Sequence, residues 1–150
     1  MLKVGDKAPD FSATIQTGET VSLNDYRGQK LILFIYPASG TPSCTAENCS
    51  LHDGYSELKA KGYDLLGVSP DSVKKQHNFI QKQNLPFSLI ADTDNQVIKL
   101  FGAWGEKQMY GKTYDGVLRS TFIINEEGVI ERVIDKVVTK THAQQILDGE

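Results

Sequence analysis

Apolar and polar positions along this chain fall into short blocks of two kinds. Leu31-Ile-Leu-Phe-Ile-Tyr36 is apolar without a break and stops at Pro37, which predicts a strand buried on both faces of a sheet. Tyr63 to Ser69, closed by Pro70, predicts a second buried strand, and Pro86 to Ile90 a short third. Between them the period lengthens. From Pro42 to about Lys61, Leu51, Tyr55 and Leu58 fall on one face of a helix, with Gly54 inside it and Gly62 ending it as a left-handed C′ residue. A helix capped by Asp71 or Ser72 runs to about Gln83, with Val73, Phe79 and Ile80 on its apolar side. Asp94 to Phe101 predicts a short helix ended by Gly102. Ser120 to Asn125 and Val129 to Ile134, turning at Glu126-Glu127-Gly128, predict an antiparallel hairpin. A last helix starts near Thr139 or Thr141 and carries Ala143, Ile146 and Leu147. Upstream, Phe11 to Ile15 and Thr20 to Leu23 predict a small hairpin turning at Thr17-Gly18, after an extended lead-in anchored by Phe11. Residues 103–117, which hold the only Trp, read as loop.

The order β–β–β–α–β–α–β–α–β–β–α predicts an α/β protein, a central mixed sheet with helices on both faces and an N-terminal β-hairpin extension. A thioredoxin-like fold meets that description. No repeat, linker or low-complexity tract divides the chain, so residues 1–150 read as one domain.

Composition narrows the function. Sixteen basic against nineteen acidic residues leave −3 with no basic cluster, which argues against nucleic acid or an anionic membrane as partner. No apolar run approaches the ~20 residues needed to span a bilayer. The charged start, Met1-Leu-Lys-Val-Gly-Asp6, lacks the apolar core of a signal peptide, so a cytoplasmic protein is expected. Thiols in that compartment stay reduced. Two cysteines five positions apart, Cys44 and Cys49, therefore point to metal or redox work. Zinc needs about four ligands, and His52, His77 and His142 are scattered, so redox chemistry is favoured and no metal or organic cofactor is expected.

The chemistry centres on Tyr36-Pro-Ala-Ser-Gly-Thr-Pro-Ser-Cys44-Thr45. Thr41 reads as an N-cap and Pro42 as the first helical residue, which places Cys44 in the first turn, where unpaired N–H groups and the positive dipole end lie. A thiol there ionises more easily than a free one, and thiolate is the reactive form. The N–H groups of Ser43 and Cys44, with the Thr41 hydroxyl, could bind a small polar oxygen substrate. On an ideal helix, Cα atoms five apart lie roughly 8.7 Å from each other and point about 140° apart. A disulfide needs about 4.4–6.8 Å. A Cys44–Cys49 bond therefore requires the helix to unwind, which suits a transient catalytic disulfide.

Pro37-x-x-x-Thr41-x-x-Cys44 resembles the peroxidatic motif of the peroxiredoxins, and Cys44-x-x-x-x-Cys49 the subfamily called bacterioferritin comigratory protein or peroxiredoxin Q. The resemblance covers nearly the whole chain. Gly5-Asp-Lys-Ala-Pro-Asp-Phe11, Tyr26-Arg-Gly28 and Leu85-Pro-Phe87 match, and Trp104-Gly-Glu-Lys-x-Met-Tyr-Gly-Lys112 and Arg119-Ser-Thr-Phe-Ile-Ile-Asn125 match more closely. It implies a thiol peroxidase acting on hydrogen peroxide and organic hydroperoxides and recycled by thioredoxin or a similar dithiol. By it, Cys44 is the peroxidatic cysteine, Cys49 the resolving one and Arg119 the guanidinium beside the thiolate. Thr41 would hold the peroxide, and Pro37 would shield the site. An internal disulfide needs no partner subunit, so a monomer is expected. Ser43 stands where the family usually has Gly, Ala38-Ser39-Gly40 where its loop is often charged, and Phe101 where Tyr is common. Trp104, Met109 and Tyr110 are expected in a packed loop near the site, His77 on a helix face, and Glu47 as a solvated first-turn acid. Two other classes stay open: a thiol–disulfide oxidoreductase on the same fold, and a redox-sensing module. The first usually has Cys-x-x-Cys and a facing Pro, which Leu118-Arg119-Ser120 does not supply.

Overall fold

Two short strands open the computed structural model, which describes residues 1–149. β1 (Ser12–Thr14) and β2 (Thr20–Ser22) pair antiparallel, with Ser12 opposite Ser22. A 3₁₀ turn, Leu23–Tyr26, leads to β3 (Lys30–Ile35), the predicted central strand. Next come α1 (Pro42–Asp53), α2 (Tyr55–Ala60), β4 (Tyr63–Ser69), α3 (Val73–Gln83), β5 (Ser88–Ala91) and α4 (Gln96–Leu100). β6 (Trp104–Met109), β7 (Lys112–Val117), β8 (Ser120–Ile124), β9 (Ile130–Ile134), a 3₁₀ turn at Thr139–Thr141 and α5 (His142–Asp148) complete the chain.

Five strands form the central sheet in the order β5-β4-β3-β8-β9. β3 runs parallel to β4 and β4 to β5, while β8 is antiparallel to both β3 and β9. Alternation along β3 divides the core. Leu31, Leu33 and Ile35 face a cluster with Val97, Phe101 and Phe122. Ile32 and Phe34, with the adjoining Tyr36, face Cys44, Leu51, Leu58, Phe79 and Ile146. Thus α1, α2, α3 and α5 cover one face and α4 the other, giving the mixed α/β sheet with helices on both faces. The β1–β2 hairpin lies against β5, where Ile15 bridges Ile90 and Gln16 Oε1 accepts the Leu89 N–H at 3.0 Å, protecting an edge that would otherwise be open.

Two expectations are corrected. The helix predicted from Pro42 to Lys61 is two helices that break at Gly54. A Cβ at Gly54 would lie 2.6 Å from the Ala143 Cβ, so only glycine lets α5 approach this closely. Residues 103–117 are not loop. They form the antiparallel β6–β7 ribbon, turning at Tyr110-Gly111 with φ of 52° and 76°. The Tyr110 side chain is 97% exposed, and Trp104 packs on the cluster across the sheet from Cys44 and under the Lys99 ammonium. These two residues therefore do not form the packed loop expected beside the site, and the Met109 side chain lies outside the described ones.

Candidate active site

The loop after β3 is held by a buried polar network. The Tyr36 hydroxyl lies 3.0 Å from Ser39 Oγ and donates to Gln76 Oε1 at 3.3 Å. Ser39 donates its N–H to Asp71 Oδ2 at 2.7 Å and its hydroxyl to Gln76 Oε1 at 2.6 Å. Gln76 Nε2 in turn donates to Ser69 Oγ (2.6 Å) and to the Ile90 carbonyl (2.8 Å). One side chain thus joins the carboxyl ends of β3, β4 and β5 to the loop carrying Pro37 through Gly40. The sequence reading missed this network. Its signal was Gln76 itself, a polar residue midway between Val73 and Phe79 on the apolar stripe of α3.

Thr41 is the N-cap of α1 and Pro42 its first residue, as predicted. The Thr41 side chain does not cap. Its hydroxyl donates back to the Ala38 carbonyl at 2.9 Å, which leaves the oxygen free to accept from a ligand. Cys44, in the first turn, is 1% exposed. Opposite it stands Arg119, between β7 and β8, where Ser120 pairs with Ile35 at the carboxyl end of β3. Arg119 Nη2 lies 3.3 Å from Cys44 Sγ and 3.2 Å from Ser43 Oγ. The sequence-predicted Ser43, Cys44 and Arg119 are therefore in contact, with Thr41 capping the same turn and Pro37 half-buried on the loop before it.

Glu47 corrects the sequence reading. It is fully buried rather than solvated, and its Oε1 accepts a hydrogen bond from Arg119 Nη1. The second nitrogen of the fork meets Cys44 while the first meets Glu47, which fixes the plane of the guanidinium. Burial raises the Glu47 carboxyl to about 7, against the opposing pull of Arg119. Behind it, His142 at the start of α5 is also fully buried, with Nε2 3.9 Å from Glu47 Oε2. His77 is exposed on α3, as expected.

Cys49 lies about one and a half turns beyond Cys44 on α1 and is half-buried. Its thiol donates to Gln83 Oε1 of α3 at 3.5 Å, and burial, with Asp53 nearby, pushes it above the usual thiol range. Both cysteines are free thiols. Each meets a different neighbour, Arg119 or Gln83, and so they point apart, as residues five apart on a helix must. Among the described residues no cluster of three or more His, Cys, Asp or Glu could hold a metal, and no helix is long and apolar enough to cross a membrane.

Residues 4–133 match the AhpC/TSA family. The chain is 46% identical over 147 residues to peroxiredoxin Bcp of Escherichia coli, covering 98% of this chain and 94% of that protein. Peroxiredoxin Q of Xanthomonas campestris shares the fold with a TM-score of 0.87 at 34% identity, over 93% of this chain and 88% of that one. Peroxidoxin BcpB of Mycobacterium tuberculosis gives 0.87 at 31% identity, over 99% and 96%. With the thioredoxin-like sheet and the thiol–guanidinium site, these likenesses define a thiol peroxidase. The chain belongs to the AhpC/TSA family and is, within it, a peroxiredoxin of the Bcp or peroxiredoxin Q kind.

Proposed function

We propose that Cys44 reduces peroxides directly and that Cys49 resolves the product within the same chain. The Cys44 thiolate attacks one peroxide oxygen, the O–O bond breaks, and the departing oxygen leaves as water or alcohol after taking a proton. Sulfur is oxidised to the sulfenic acid. The Cys49 thiol then displaces hydroxide from that sulfur, giving a Cys44–Cys49 disulfide and water. A dithiol protein of the thioredoxin type returns both thiols. Arg119 and the N–H groups of the first turn of α1 bear the negative charge as the O–O bond stretches. Thr41 accepts the peroxide O–H, because its own proton is committed to Ala38. Ser43 orients Arg119, and Pro37 limits water. The observation that carries this reading is the 3.3 Å approach of Arg119 Nη2 to a buried sulfur at a helix N-terminus.

A groove of about 220 Å³ lies between the loop and α3, lined by Ser39, Gly40, Lys75, Asn78, Phe79 and Lys82. Its apolar floor suits the organic part of an alkyl hydroperoxide, and a solved Xanthomonas campestris relative is described as having alkyl peroxide reduction activity. We place the protein in the cytoplasm, as one domain acting as a monomer. The test is stopped-flow consumption of hydrogen peroxide by the reduced protein. Cys44→Ser should consume none, and Cys49→Ser should consume one equivalent and then fail to cycle with thioredoxin. Undiminished consumption by Cys44→Ser would overturn the reading.

A further inference from the structure

Behind Arg119 lies a buried pair, Glu47 and His142, to which the sulfur chemistry assigns no step. Its hydrogen bonding can be worked out from the outside inward. Gln145 Nε2 donates to the Lys136 carbonyl at 2.8 Å, and Gln145 Oε1 accepts the Val138 N–H at 3.1 Å, so the orientation of that amide is fixed. The same Oε1 lies 2.9 Å from His142 Nδ1. An oxygen with no proton requires one on its partner, so Nδ1 carries the hydrogen. Nε2 is then the bare nitrogen, and it accepts the Thr121 hydroxyl at 2.8 Å. That bond takes the one lone pair of Nε2, so the ring offers no N–H to Glu47 Oε2, 3.9 Å away.

That oxygen has no hydrogen-bond partner among the described residues. Ionised, it would hold negative charge with no donor to meet it in a site closed to water, the arrangement buried groups avoid. Protonated, Oε2 carries no charge that needs a donor, while Oε1 still accepts from Arg119 as a carbonyl. We propose that Glu47 is held as the neutral carboxylic acid, because His142 is fixed in the tautomer that offers its buried Oε2 no N–H, so that Arg119 keeps its full positive charge for the Cys44 sulfur. His142 is then a positioning residue that acts through Glu47. This rests on the reading of Arg119 as the partner of the sulfur. A carboxylate on Nη1 would compete with the thiolate on Nη2 for one cation; a neutral acid orients the fork without that competition.

The charged surroundings agree. Glu47 faces Arg119 from the segment before β8, Cys44 from its own helix and His142 from α5. His142 faces Thr121 of β8, Gln145 of α5, and the positive fields of Arg119 and of Arg132 on β9. Burial, with those two arginines, presses His142 down to about 4, so it stays neutral and cannot supply an N–H to Oε2. Burial likewise brings the Glu47 carboxyl up to about 7.

The test is infrared difference spectroscopy of the reduced protein against Glu47→Gln. At about pH 6 the unaltered protein should show the carbonyl band of one protonated carboxylic acid that the Gln variant lacks, converting to carboxylate near pH 7. In His142→Gln, whose amide can turn an N–H toward Oε2, that conversion should move to lower pH. A Glu47 carboxylate signature at pH 6 would overturn the proposal, and a conversion indifferent to His142→Gln would overturn the part assigned to His142. The titration of the unaltered protein needs no variant to fold. Peroxide kinetics give a second readout. From about pH 6 to about pH 8.5, the ratio of the unaltered protein's rate to that of Glu47→Gln should fall several-fold, as Glu47 ionises and draws on Arg119. A ratio that rises with pH would mean that the anion is the working form. An unaltered peroxide rate in Arg119→Ala would instead remove the role of Arg119 and leave the infrared result standing.

Discussion

A guanidinium 3.3 Å from a buried sulfur does two things that an ammonium in the same place cannot. It gives one edge to Cys44 and Ser43 and the other to Glu47, and its planar fork keeps that geometry as charge moves onto the peroxide. Arg119→Lys should retain the charge and lose the fork, slowing the peroxide reaction by about 10-fold. Arg119→Ala should lose both, with a deficit of about 10²–10³, the cost of removing a donor aimed at developing charge. Stopped-flow rates for the three proteins check this; equal rates for Lys and Arg would make the charge alone responsible. Much of the site at this scale was legible in the sequence. The Thr41 and Cys44 spacing and the Arg119 segment marked residues that the structure brings together at the start of α1. Glu47 is the exception: a charged side chain in a first turn reads as solvated, although it lies four residues before Leu51, on the stripe of Leu51, Tyr55 and Leu58. The residues that α1 buries are Cys44, Glu47, Asn48 and Leu51, spaced three, four and seven from the cysteine, and Leu58 of α2, seven beyond Leu51, continues that stripe past Gly54.

At the scale of elements, α1 has to unwind for Cys49 to reach Cys44. Its inner stripe shows why it can. Of its four buried residues, Glu47 and Asn48 are polar, and Leu51 is the one large aliphatic side chain. Little apolar area holds the first two turns down, so local opening costs far less than global unfolding. One tie to α5 is specific: the Ala143 N–H donates to Ser50 Oγ at 3.1 Å. Ser50→Ala removes that acceptor, at a cost of about 1 kcal/mol. Opening of α1 should then be about 5-fold more frequent, with faster amide exchange there and less over-oxidation of Cys44 at high peroxide. Unchanged exchange in α1 would place the restraint elsewhere. Strands β3, β4, β8 and β9 were legible because burial on a sheet leaves an apolar run. The β6–β7 ribbon was not, because it is largely exposed and shows no period. Its turn uses Tyr110 at φ 52° where Asn-Gly is the usual sign.

For the whole molecule, the buried pair makes a statement about stability and pH. Glu47 is raised from its ordinary 4.5 to about 7 on folding, which alone would make stability fall as pH rises through that window. His142 is lowered from 6.5 to about 4, which alone would make stability fall as pH drops through that window. Between about pH 5 and pH 6 the folded pair carries its proton on Glu47 and the unfolded pair on His142, so the two slopes cancel. Glu47→Gln should expose the His142 slope, with urea midpoints falling from pH 6.5 toward pH 4. His142→Phe should expose the opposite slope, with midpoints falling from pH 4.5 toward pH 7. Parallel profiles in both variants would contradict the two assignments. The same scale holds the question of assembly, since every group in the proposed cycle comes from one chain. The most direct measurement of that central claim is intact and peptide mass spectrometry after one equivalent of hydrogen peroxide. The account predicts a single chain lighter by two hydrogens, with Cys44 and Cys49 peptides linked, and full recovery of the starting mass after thioredoxin. A disulfide joining two chains, or a chain that keeps both thiols while peroxide is consumed, would contradict it.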